Sequence, residues 1–152
     1  MARYKVRVGD CIESMRTLPD QMVHTCVTSP PYFGLRDYGE DGQIGAEETP
    51  DEYVQRLVEV FREVRRVLRD DGTVWLNLGD SYNSANTGGF RAGSGRADGV
   101  VDKRGQRNRN GTSAPDCKPK DLIGIPWRVA FALQSDGWYL RQDIIWHKPN
   151  PM

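Results

Sequence analysis

Apolar positions along this chain follow two rhythms, one of period two and one near 3.6, with glycine or proline between the runs. Residues 4–8 alternate Tyr4, Val6 and Val8 with Lys5 and Arg7, the pattern of a short strand that Gly9 and Asp10 end. Cys11, Ile12, Met15 and Leu18 fit one face of a short helix, closed by Pro19-Asp20. Residues 23–28 are short and β-rich, so they predict a second strand. Pro30 and Pro31 stop it, because neither has an N–H to donate to a ladder. The strongest helix start is Thr49-Pro50-Asp51-Glu52, with a threonine cap, proline at the first helical position and a glutamate that completes a capping box. Val54, Leu57, Val58, Phe61, Val64 and Leu68 then form one helical stripe, and Gly72 is expected to end it. Residues 73–78 form a near-continuous apolar run, as in a strand covered on both faces. Pro126 opens a helix over 127–134 that Gly137 closes. Residues 138–147 predict a last strand, with Trp138, Leu140, Ile144 and Trp146 on one parity and Asp143, Ile145 and His147 on the other. Strands alternating with helices indicate an α/β fold, with one sheet and helices on both of its faces.

At 152 residues the chain is expected to be a single domain. No apolar run reaches the roughly 18 residues of a membrane span, and the first residues lack a signal-peptide core. The three cysteines, Cys11, Cys26 and Cys117, make an odd number without a Cys-x-x-Cys pair. That argues for a reducing, cytoplasmic setting and against a zinc site. Net charge is zero, but its distribution is uneven. Residues 83–120 carry seven glycines and a net charge of +5, leaving −5 for the rest of the chain. One Phe and two Val are too few for a core, so this segment reads as a flexible basic insertion. Arg91, Arg96, Arg104, Arg107 and Arg109 are its candidate phosphate contacts, with an ordinary insertion as the equal alternative. Arg65, Arg66 and Arg69 complement a helix C-terminus, a reading preferred to a phosphate patch.

The candidate chemistry lies at Ser29-Pro30-Pro31-Tyr32. A strand that stops abruptly presents a hydroxyl, a rigid turn and an aromatic ring at its carboxyl end, where open α/β sheets bind ligands. A proline-rich turn with a packed tyrosine is the plainer reading of the same four residues. Asp10 likewise reads either as a helix N-cap or as a ligand-edge carboxylate. Gly79-Asp80-Ser81-Tyr82 places a second polar group at that edge. Residues 33–49 form a glycine- and acid-rich loop with Arg36, Asp37 and Tyr38 as its notable side chains, either a lid or a solvated loop.

With the Gly9-Asp10-Cys11 turn, Ser29-Pro30-Pro31-Tyr32, the following helix and Trp146-His147-Lys148-Pro149 in view, the chain resembles the amino-methylating DNA methyltransferases. That resemblance implies a partial Rossmann-like sheet and transfer of a methyl group from S-adenosylmethionine to cytosine N4 or adenine N6 of double-stranded DNA. Such enzymes flip the target base into a pocket. Ser29 and the Pro30 carbonyl would accept the two amino hydrogens, and Tyr32 would stack on the base, with Pro31 shaping the turn. Asp10, Cys11 and Thr28 would lie beside the cofactor, and Arg36 and Lys148 would join the loop arginines on DNA. No metal is implied. Serine at the first motif position favours cytosine N4 over adenine N6. Carbon-5 methylation needs a cysteine nucleophile, usually after a proline, and no cysteine here follows one.

The family's glycine-rich cofactor loop, of the form Phe-x-Gly-x-Gly, has no counterpart in the sequence. The order resembles the subclass that puts the target-base motif first and the cofactor loop near the C-terminus. The chain is thus expected to be the N-terminal part of such an enzyme, completed by a second chain or a C-terminal half. An exposed sheet edge should follow. The alternative is a non-catalytic DNA-binding or assembly fragment.

Overall fold

The computed structural model describes residues 4–36, 38–83, 114–147 and 149. Five elements follow one another: α1 (Cys11–Arg16), β1 (Val23–Thr28), α2 (Pro50–Val67), β2 (Leu68–Leu76) and α3 (Ile125–Ser135). β1 and β2 are parallel neighbours joined through α2, and they form a two-stranded sheet.

α2 starts where the sequence places it. Thr49 accepts from the Glu52 N–H at 3.2 Å, and Glu52 Oε2 accepts from the Thr49 N–H at 3.1 Å, so the capping box is complete. Its stripe, joined by Tyr53, is buried against Phe33, Ile123, Ile125, Val129 and Leu133. Cys26, Val74 and Leu76 pack on the same core from the sheet.

The helix ends earlier than Gly72. Leu68 is already extended at φ −80°, ψ 141° and begins β2 while remaining buried. Residues 69–72 then bulge out opposite His24, between the pairs Val23–Leu68 and Thr25–Thr73. Gly72 serves that bulge rather than a helix cap: a Cβ there would meet the Leu68 side chain at 2.6 Å. The arginines near this end are spent on the fold. Arg66 reaches Asp20, Glu63 and the carbonyls of Met15 and Leu18, tying α2 to the end of α1. Arg62 and Arg65 hold the Asp136 carboxylate and carbonyl beyond α3, and Arg69 pairs with Asp71.

Three expectations need correction. Among the described residues helices do not cover both sheet faces: Val27 and Trp75 lie side by side, 75% and 53% exposed, opposite the α2 face. Residues 4–8 form no strand, and Tyr4, Val6 and Val8 are exposed. Residues 138–147 also stay outside the sheet. Trp138 packs edge-on to Phe61 at 6.4 Å, but Tyr139, Ile144, Ile145 and Trp146 are exposed. Alternation supplies a strand's faces but not its partner, and among the described residues neither segment has one.

The basic segment is anchored at both ends. Asn83 is buried, and its amide donates to the Ala114 and Cys117 carbonyls and accepts from the Ala114 N–H. Ala114 and Cys117, near the end of residues 83–120, contribute to the core. Arg91, Arg96, Arg104, Arg107 and Arg109 lie outside the described residues, as do Asp37 and Lys148.

Candidate active site

The proline turn leaves β1 at its carboxyl end, and the neighbouring strand holds it there. The Asn77 N–H continues the ladder to the Thr28 carbonyl at 2.9 Å. From the same residue the side-chain amide donates to the Tyr32 hydroxyl at 3.1 Å. Ser29, with an exposed side chain, directs its hydroxyl to the same Tyr32 oxygen at 3.4 Å, a long contact. Gly79 lies against the Tyr32 ring, where a Cβ would come within 2.8 Å of Cε2.

α2 grips the turn from below. Tyr53 is fully buried and donates its hydroxyl to the Pro31 carbonyl at 2.9 Å. Burial, reinforced by Glu47 and Tyr32, pushes its phenol well above the ordinary tyrosine range, so it remains a donor. Phe33, placed by sequence in a loop, is 3% exposed with its ring 5.6 Å from that of Tyr53. The loop then folds back on the turn: Gly34 N–H donates to the Gly45 carbonyl at 2.9 Å. Gly45 has φ +90°, and a Cβ there would lie 2.8 Å from the Tyr32 carbonyl oxygen, so glycine is required on both counts. Gln43 braces the loop by accepting from the Tyr38 N–H and donating to the Arg36 carbonyl. The Arg36 side chain is exposed and has no ion pair among the described residues.

The structure therefore brings Ser29, Pro30, Pro31 and Tyr32 together with Thr28 at one strand end. Asp10 and Cys11 are not linked to them by any hydrogen bond described. Asp10 Oδ1 accepts from the Glu13 N–H at 2.9 Å, which realises the N-cap reading. Asp80 is likewise engaged: its carboxylate accepts from the N–H groups of Ser81, Gly124 and Ile125 and so caps α3, whose own N-cap is Gly124. Partial burial, with Asp10 nearby, raises the Cys11 thiol, and burial raises that of Cys26. Both favour the neutral thiol, which is the weaker nucleophile. Sequence reasoning missed Tyr53, Asn77 and Gly45, and placed Gly79 at this edge without its contact with Tyr32. Asn77 was the one with a local signal, a polar residue inside an apolar run at a strand end.

The family described as DNA methylase, covering N6 and N4 enzymes, matches residues 23–152. The chain is 53% identical over 147 residues to the Type II methyltransferase M.SmaI of Serratia marcescens, covering 96% of the chain and 48% of that protein. It is 54% identical to M.Cfr9I of Citrobacter freundii, covering 95% and 46%, and 45% identical to M.SfiI of Streptomyces fimbriatus, covering 98% and 31%. The chain thus spans about half the length, or less, of these relatives. No solved structure matches it. No helix among the described residues is long and apolar enough to cross a membrane.

Proposed function

Because this chain belongs to the DNA methylase family, we propose that it is the target-base part of a restriction–modification DNA methyltransferase that methylates cytosine N4. The observation that carries this reading is the geometry of the proline turn: at a parallel strand's carboxyl end an exposed serine hydroxyl faces the hydroxyl oxygen of Tyr32, whose ring Asn77 holds through that same oxygen. An exocyclic amino nitrogen is a weak nucleophile because its lone pair is delocalised into the ring. Ser29 and the Pro30 carbonyl, accepting one amino hydrogen each, favour a pyramidal nitrogen with a more available pair. Tyr32 offers its ring face to the flipped base. Pro30 and Pro31 restrict the backbone, so these groups are oriented before the base arrives.

S-adenosylmethionine, when bound, supplies an already activated methyl group. The residues present fit it only in part. The exposed Asp10 carboxylate has one oxygen on the α1 cap and offers the other to the adenosyl part, and the sequence has no turn of the form Phe-x-Gly-x-Gly for the remainder. We assign that turn to a second half, matching the relatives' extra length. The exposed Val27–Trp75 face is consistent with further structure packing there.

The test combines the chain with the half of the Serratia marcescens relative that the match leaves uncovered. Labelled methyl transfer to DNA is followed by digestion to nucleosides. N4-methylcytosine is expected. N6-methyladenine would select the adenine enzyme instead, and DNA binding without transfer would indicate a non-catalytic fragment.

A further inference from the structure

We infer that Asn77 is a positioning residue for the methyl acceptor site, acting through the Tyr32 hydroxyl; this rests on the function proposed above. Asn77 bridges both ends of the motif: its backbone N–H holds Thr28, just before Ser29, and its side-chain amide holds Tyr32, the last motif residue. An amide NH₂ can only donate, so the Tyr32 oxygen accepts from it. The Ser29 hydroxyl is directed to the same oxygen. A serine hydroxyl has one proton and two lone pairs. With the proton turned toward Tyr32, the lone pairs are left for a hydrogen of the base's amino group. The opposite orientation would aim the serine proton at the nitrogen and compete for its lone pair. Asn77 thereby fixes the Tyr32 oxygen in place, and the Ser29 proton directed to that oxygen leaves the serine lone pairs for the base. Gly79, two residues further along the same segment, keeps the ring against the backbone and limits its drift away from Asn77.

Three readouts test the inference. In the chain alone, the side-chain amide protons of Asn77 should shift in the NMR spectrum of Tyr32→Phe, because their acceptor is gone. An unchanged amide pair would overturn the proposal whatever the enzyme does. In the chain combined with the complementary half, Asn77→Ala and Tyr32→Phe should each lower the single-turnover methylation rate roughly five- to tenfold, the effect of one uncharged hydrogen bond. Together they should lower it no further than either alone, since both remove the same link. Losses that multiply, or a wild-type rate in Asn77→Ala, would overturn it. Capture of a fluorescent base analogue should persist in Tyr32→Phe, which keeps the stacking ring; loss of capture would assign the hydroxyl to base binding instead. An assembly that transfers no methyl group counts against the proposed function, while the amide spectrum still decides the pairing.

Discussion

Gly79 stands so close to Tyr32 that a Cβ on residue 79 would fall 2.8 Å from Cε2 and 2.9 Å from Cδ2 of the ring. The backbone after β2 is thus a wall for the aromatic ring of the turn after β1. Gly79→Ala should push the ring outward, at a cost of about 1–3 kcal/mol for overpacking. Because Tyr32 is only partly buried, the ring can yield, and the damage should fall more on base capture than on folding. Chemical denaturation and base-analogue fluorescence measured together would check this; a variant with intact capture and a large loss of stability would contradict it.

Tyr53 makes stability depend on alkaline pH. Burial raises its folded-state ionisation above the unfolded value, which is roughly 10. Its contribution is therefore complete below about pH 10 and is lost as pH rises toward the folded value, because the unfolded chain releases the proton first. Tyr53→Phe should lower stability by about 1 kcal/mol near neutrality through loss of the bond to Pro31. It should also flatten the alkaline decline. Urea unfolding at a series of pH values above 9 would reveal both effects.

Asn83 closes the base of the segment that runs to Ala114. Its amide satisfies Ala114 and Cys117, and its backbone pairs with Lys120 and Asp121. Asn83→Leu should cost about 1–3 kcal/mol by leaving buried carbonyls and an N–H unpaired. Faster proteolysis of the chain should accompany that loss. Wild-type resistance and stability would show that other contacts close the segment.

Much of the scaffold was legible because local signals and burial agree. Thr49, Pro50 and Glu52 write the start of α2, and its apolar stripe is the core. The helix end was not legible: Gly72 is a plausible stop, yet Leu68 stays buried by switching to strand, with glycine then needed beside its side chain. Residues 138–147 have a strand's pattern, but pairing depends on an edge that no pattern within the segment specifies. The motif at Ser29–Tyr32 was visible as chemistry, while its supports were not. Tyr53 and Asn77 reach it across 22 and 45 residues; Asn77 stands out as a polar residue in an apolar run, but nothing near either residue names its partner.

Ser29→Ala in the assembled enzyme tests the role of the motif itself. The hydroxyl is proposed to accept an amino hydrogen as the nitrogen becomes pyramidal, so its contribution grows toward the transition state. By analogy with an oxyanion-hole donor, its loss should raise the barrier by about 2–4 kcal/mol with little change in DNA affinity. Tyr32→Ala should behave differently. Stacking is worth roughly 1–3 kcal/mol per base and acts before chemistry, so that variant should lose base capture as well as rate. The contrast depends on the sharing of the Tyr32 oxygen by Ser29 and Asn77: alanine at 29 leaves the ring anchored by Asn77, whereas alanine at 32 removes the ring and frees both partners. Single-turnover kinetics beside a fluorescent base analogue would separate the two steps. Methylation by Ser29→Ala at the wild-type rate would remove the serine from the mechanism and leave the turn as a stacking platform alone.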